Sequence, residues 1–282
     1  MLMAPFEYCR PETLSEAVSA LAEESSSRPL AGGQSLLALL KMRAAKFDLL
    51  VDISRLDELR FIDVRADGSV EIGAGVTYDE MARSVELRQV HPTLCDVAAT
   101  TVDVQVRHQG TFGGNICHND PINNFPPYVV ALNATLNLEG PEGTRQVDAG
   151  DFFLGAFWSD VRQGEVLRSI TLPPSDGFRI GYEELEINEA AARAVAAVRV
   201  EDGQIADARL VLGCLPVPER RSVVEEALRG APATADAVRA ATAATAEGVD
   251  FPSDADASAE YRASVAPVVA RRALMQAING GE

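Results

Sequence analysis

Leu30-Ala31-Gly32-Gly33-Gln34-Ser35-Leu36-Leu37 decides how this chain is read, and Gly110-Thr111-Phe112-Gly113-Gly114-Asn115 answers it much later in the sequence. Each run follows residues that read as extended, and each offers main-chain N–H groups with little side-chain bulk around them. Glycine carries a conformational-entropy cost, so it is kept where φ must be positive or where something must approach the backbone closely. Successive N–H groups in such a turn form a concave anion site. Two nests of this kind can grip one pyrophosphate from both sides, which makes a dinucleotide the first ligand to consider.

The rest of the composition narrows the choice. With 282 residues the chain is long enough for two or three subdomains with hydrophobic cores. Its formal charge is −17, from 42 acidic against 25 basic residues, which argues against nucleic acid and against an anionic membrane surface. It also implies that any phosphate is held by main-chain amides, not by a lysine cluster. No apolar run approaches the roughly 20 residues needed to span a bilayer. The opening Met1–Phe6 lacks the basic and long apolar regions of a signal peptide. Cys9, Cys95, Cys117 and Cys214 lie far apart with no C-x-x-C pair, so neither a disulfide framework nor a metal or iron–sulfur site built from this chain is expected. A cytoplasmic, reducing location follows.

Around the first loop the chain reads as a small α/β unit over residues 1–53. Thr13-Leu14-Ser15-Glu16 is a capping box opening a helix with Leu14, Val18 and Leu21 on one face. A strand near Pro29–Ala31 leads into the glycine loop, Ser35 starts a second helix, and Phe47–Ile53 is a short buried strand. The texture then changes to mixed α+β up to about residue 175. Asp67-Gly68 marks a hairpin between Leu59–Val64 and Ser69–Gly73, and Thr77-Tyr78-Asp79-Glu80 repeats the capping-box pattern. His91–Ala99 reads as helical and leads through Val102–Val106 to the second loop, and Gly140–Gly143 turns between two further strands. Pro173-Pro174-Ser175-Asp176-Gly177 is the clearest linker. Beyond it lie a meander (Arg179–Ile187, Ala194–Val200, Ala208–Leu212) and Ala-rich helices near 218–229, 234–247 and 258–279.

Other nucleotide motifs fail. Gly73-Ala74-Gly75 resembles the start of a dinucleotide fingerprint, but Tyr78 stands where the third glycine belongs, and no G-x-x-x-x-G-K-[ST] is present. The two loops, together with Lys41-Met42-Arg43, Leu50-Val51-Asp52-Ile53, Ile72–Thr77, Gln105-Val106-Arg107-His108-Gln109 and His118-Asn119-Asp120-Pro121, follow one another in a recognisable order. In that order and spacing the chain resembles, end to end, the medium, FAD-binding subunit of the molybdenum hydroxylases, the family of carbon monoxide dehydrogenase and xanthine dehydrogenase.

The resemblance implies an overall α+β fold: a p-cresol methylhydroxylase-type FAD-binding domain over residues 1–175, with subdomains of about 1–53 and 54–175. A C-terminal domain of antiparallel sheet and helices follows over 178–282. It implies non-covalent FAD, with Ala31, Gly32, Gly33, Gln34, Ser35 and Leu36 of the first loop and Thr111, Gly113, Gly114 and Asn115 of the second wrapping the diphosphate. Asn124 stands where the family has a carboxylate toward the cofactor's polar linker, and Leu167 where it has a main-chain contact near the flavin ring. Glu184 stands where the family often has a lysine. A molybdenum cofactor and [2Fe–2S] clusters are implied on partner subunits only, a large molybdopterin subunit and a small iron–sulfur subunit, assembled as a dimer of heterotrimers.

The resulting expectation is an electron-transfer flavoprotein subunit, with no catalytic acid or base of its own. Two rivals stand beside it: a stand-alone flavin oxidase or dehydrogenase of the same fold, and a cofactor-free structural subunit. The remaining conspicuous residues take plainer readings. Cys117 and His118 pack near the cofactor, since buried cysteine mostly behaves as a small apolar group. His91 before Pro92 starts a helix, and His108 sits near the approach to the second loop. Trp158 and the Phe152-Phe153 pair belong to the core. Glu183, Glu184 and Glu186 form a solvated strand edge.

Overall fold

The computed structural model describes residues 3–280. The chain divides into two compact units. The first runs to His118 and also takes Thr135–Phe152 and Trp158–Leu172. The second takes Asn119–Ala134, Phe153–Phe157 and the chain from Pro173 onward.

In the first unit, Glu7–Cys9, Leu49–Asp52 and Ser27–Leu30 form a three-stranded parallel sheet with Leu49–Asp52 in the middle. The helix Leu14–Glu23 starts where the capping residues place it, with the Thr13 hydroxyl accepting from the Glu16 N–H at 3.2 Å. Its buried Leu14, Ala17, Val18 and Leu21 join Val51, Ile53, Leu56 and Leu59 in one apolar cluster. A five-stranded antiparallel sheet follows in the order Ile62–Val64, Val70–Gly73, Val166–Leu172, Thr135–Gly140, Gly143–Asp148. Thr77 and Glu80 close a reciprocal capping box at the helix Tyr78–Arg83. His91 ends one helix and precedes Pro92, the first residue of the helix Pro92–Thr100.

The approach to the second loop differs from the sequence reading. Val102–Val106 is not extended: the chain turns at Val102, with φ +48°, and forms one helical turn over Val104–Arg107. Three alternating valines, Val102, Val104 and Val106, raise the extended reading. Arg107, whose Nη1 donates to the Thr101 and Val102 carbonyls, closes the turn instead.

In the second unit, Arg179–Glu186, Ala190–Glu201, Gln204–Gly213 and Glu219–Arg220 form an antiparallel sheet in chain order. Ala192, Ala194, Ala196, Leu210 and Leu212 face the helices Ser222–Leu228, Ala235–Thr242 and Ala259–Asn279 in one core. The small residues have a use here, because the long helix lies so close that a β-carbon on Gly181 would sit 1.9 Å from the Ala273 carbonyl oxygen. The helix Phe125–Ala131 is buried at every position and takes the other face, with Pro127 against Gly213. That packing draws Asn119–Ala134 into the second compact unit, while in sequence the segment lies within residues 1–175.

Candidate functional site

The strand Ser27–Leu30 ends at the first loop, where Gly33 adopts φ +70°, a conformation that costs other residues about 1–2 kcal/mol. The helix Leu36–Met42 begins only after Ser35, whose side chain makes no capping bond. Among the described residues no protein acceptor meets the N–H groups of Gly32, Gly33, Gln34, Ser35 and Leu36. Five consecutive donors therefore stand partly exposed at the carboxyl end of a parallel strand. That is where open α/β sheets take their ligands, and donors in such a row hold anions.

The two loops converge. A β-carbon on Gly32 would lie 1.9 Å from the Gln109 carbonyl oxygen and 3.0 Å from the Gly110 α-carbon. Glycine is required there because one backbone rests on another. Gln34 Nε2 donates to the Gly32 carbonyl at 3.0 Å and to Gln109 Oε1 at 2.9 Å, clasping the loops together. Gln109 was part of the quoted motif, but its place as the counterpart of Gly32 is a long-range contact that no local pattern announces.

The second loop uses its amides differently from the first. The Phe112 and Gly113 N–H groups donate to the Val76 and Ala74 carbonyls at 2.9 Å each, and those of Gly114 and Asn115 to Thr111 Oγ1 at 3.1 Å and Thr111 O at 3.0 Å. Gly113 is tight for an internal reason, since a β-carbon would meet that of Ala74 at 2.4 Å. Asn115 is buried and its Nδ2 donates to the Tyr78 hydroxyl at 3.0 Å. The two loops are therefore unequal as amide nests: five unengaged main-chain donors lie in the first loop, and in the second, among the described residues, that of Thr111. Thr111 Oγ1 accepts from the Gly114 N–H, and its hydroxyl hydrogen meets no acceptor among the described residues. Gly73 and Gly75, the false dinucleotide start, press against Leu59.

A row of uncharged amide donors in a chain of charge −17 suits a diphosphate, which needs donors but tolerates no bulky side chain between them. Residues 4–175 match the family model described as the FAD binding domain in molybdopterin dehydrogenase, and residues 186–277 match the CO dehydrogenase flavoprotein C-terminal domain. The chain belongs to the FAD-binding medium subunits of the molybdenum hydroxylases. It is similar to the glyceraldehyde dehydrogenase medium chain of Sulfolobus acidocaldarius, at 34% identity over 275 residues, covering 96% of this chain and 98% of that one. Among solved structures it is similar to carbon monoxide dehydrogenase from Hydrogenophaga pseudoflava, with TM-score 0.94, 35% identity and 98% of each chain covered. Quinoline 2-oxidoreductase from Pseudomonas putida 86 gives TM-score 0.95 at 29% identity, over 100% of this chain and 99% of that one.

Against the medium-subunit pattern, the remaining site residues fall in two places. Leu167 is buried in the strand Val166–Leu172, next to an irregularity in its pairing with Thr135–Gly140. Asn124 belongs to the second unit. There its Nδ2 donates to the Tyr182 hydroxyl at 2.6 Å and to Glu184 Oε2 at 3.2 Å. Arg193, 2% exposed, binds Glu184 Oε2 at 2.8 Å and the Ile122 and Asn123 carbonyls at 2.9 and 2.7 Å. Burial and the neighbouring Glu184 raise the Tyr182 hydroxyl far above its ordinary range, outweighing Arg193 and the bond from Asn124, which pull it down. Glu184 is thus the counterion of a buried arginine, and Glu183 binds Arg272 and Gln276, so these two are not a solvated edge. An arginine set among strand alanines was the one sequence signal of this cluster.

Burial pushes the Cys117 thiol up to about 12, which removes the thiolate that nucleophilic chemistry needs. His91 is buried and its pKa is lowered to about 4 by burial. His108 Nδ1 lies 3.3 Å from Asp79 Oδ2 in the first unit. Phe152 and Phe153 are buried as expected, but Trp158 is 62% exposed and is not a core residue. Among the described residues no group of three or more His, Cys, Asp or Glu is placed to hold a metal ion. No helix there is long and apolar enough to cross a membrane.

Proposed function

We propose that the first loop is the diphosphate grip of this flavoprotein subunit. The observation that carries the reading is the row of five unengaged N–H groups from Gly32 to Leu36, in a domain of the FAD-binding family. Ala31 to Leu36 hold the two phosphates through the main chain. Gly32 rests on Gln109 and Gly110, which lead into the second loop, and Thr111, Gly113, Gly114 and Asn115 of that loop join the cofactor set on the family resemblance. Asn124 and Leu167 complete the set on the family resemblance alone. Residues 1–175 serve as the FAD-binding domain and 178–282 as the C-terminal domain.

Bound FAD supplies one- and two-electron redox chemistry, and this chain binds, orients and shields it. Similarity to medium chains of carbon monoxide and xanthine dehydrogenases supports a place between two partners. These are a small [2Fe–2S] subunit that delivers electrons and a large molybdopterin subunit where substrate is hydroxylated, in a cytoplasmic dimer of heterotrimers. An external acceptor takes the electrons onward. The purified chain, incubated with FAD and desalted, should show a flavin spectrum at about one FAD per chain, and heat denaturation should release all of it. A colourless protein indifferent to added FAD overturns the reading.

A further inference from the structure

On the sheet of the second unit, register and alternation place Arg199 and Arg209 together on the face opposite the helix-covered core, and Phe178, just before the first strand, lies against both. The Arg209 guanidinium carbon lies 4.2 Å from the centre of the Phe178 ring, and that of Arg199 lies 5.6 Å from it. At 4.2 Å the guanidinium lies over the ring face, which as an aromatic surface takes none of its N–H donors as a hydrogen-bond partner. None of them has a hydrogen bond or ion-pair partner among the described residues. We propose that Arg209, stacked on Phe178 with Arg199 beside it, forms a binding site for a small bidentate oxyanion, phosphate or carboxylate.

The neighbouring acids are already engaged. Asp207 lies 3.4 Å from Arg229, Glu225 is held by Arg220 and by the Leu210 N–H, and Glu201 lies 3.3 Å from Arg199. Asp176, exposed on the linker, contributes its field without bonding to Arg209. Burial and the nearby Arg220 lower the Arg209 pKa, outweighing the fields of Asp207, Glu225 and Asp176. A guanidinium fork matches two oxygens of one anion, and an anion arriving there relieves both the burial and the repulsion. This site lies outside the FAD grip and does not depend on it.

The test is calorimetric titration of the full chain, saturated with FAD, with inorganic phosphate and separately with succinate at fixed ionic strength. The expected result is saturable binding of at least one of the two, weakened at least tenfold in Arg209→Gln. Arg209→Lys, which keeps the charge and loses the planar fork, should weaken it several-fold and guards against a misfolded glutamine variant. Arg272→Gln, an exposed arginine elsewhere on the unit, should leave it unchanged. A stronger response to one titrant tells phosphate from carboxylate as the preferred source. Unchanged binding in both Arg209 variants, or no saturable binding of either titrant to the wild-type chain, overturns the proposal.

Discussion

Gly32 and Gln109 meet backbone to backbone: a methyl group on Gly32 would lie 1.9 Å from the Gln109 carbonyl oxygen. This contact turns two loops far apart in sequence into one structure, and it fixes where the five free amides of the first loop point. Because the obstacle is main chain on both sides, no rotamer change relieves it. Gly32→Ala should lower stability by about 3 kcal/mol, the upper part of the usual overpacking range, and should weaken FAD binding at least tenfold. Urea denaturation and flavin-fluorescence titration measure the two effects. An alanine variant with unchanged FAD affinity would show that the loops need not touch.

The Gln34–Gln109 clasp allows a cleaner dissection, since both side chains are exposed and either can be removed without a clash. Gln34→Ala, Gln109→Ala and the double variant form a mutant cycle. Its coupling energy should be about 1 kcal/mol, the value of an ordinary neutral hydrogen bond. The cycle should be read in FAD affinity as well as in stability. Coupling that appears only in stability would mean that the clasp braces the fold and leaves the diphosphate grip alone.

Much of this architecture was legible because its signals are local. Thr77 with Glu80, Asp67-Gly68 and Pro92 each specify a cap, a turn or a helix start from residues within a few positions, and each element stands where it was read. The glycine loop announced itself in the same way, through Gly33 and its positive φ. What escaped was set by distant partners. The second loop's amides are engaged by Ala74 and Val76, which belong to the family's motif order but carry no local sign that they pair with this loop. Glu184 became the partner of Arg193 by strand register, and Asn119–Ala134 joined the second unit because the helix Phe125–Ala131 is apolar on every side. Trp158 lies just past a residue with positive φ, Phe157, and is turned outward.

Two buried titrations give the first unit a defined pH response. Burial pushes the Asp52 carboxyl up, but bonds from Ser54, Tyr8 and Arg10 outweigh it and bring the pKa down to about 2. Its unfolded value is about 3.9, so its contribution, on the order of 2 kcal/mol, is present above pH 4 and is lost as pH falls toward 2. His91 is lowered to about 4 by burial against about 6.5 unfolded, so the unfolded chain binds the proton first. Its share, on the order of 2–3 kcal/mol, is intact above pH 6.5 and declines between 6.5 and 4. Urea midpoints across this range should show the stability gap between wild type and Asp52→Asn closing below pH 4. His91→Gln should flatten the slope between 6.5 and 4, and an unaltered slope there would rule out a buried neutral imidazole.

The resemblance set a lysine against Glu184, and the Arg193 cluster disfavours that residue in this chain. Arg193 is buried and its guanidinium faces Glu184 Oε2, the Tyr182 hydroxyl and two loop carbonyls. A lysine at 184 would set a second cation against a buried first one and remove the carboxylate that balances it. Breaking such a pair from one side costs about 3–5 kcal/mol, because the remaining charge stays buried without its partner. Glu184→Lys should therefore lose about 3 kcal/mol or more, and Glu184→Gln, which keeps a hydrogen-bond acceptor, about half as much. Denaturant titrations of both variants decide it. Equal stability of Glu184→Lys and wild type would mean that Arg193 draws its compensation from the Ile122 and Asn123 carbonyls alone, and that the departure at 184 is independent of the buried arginine.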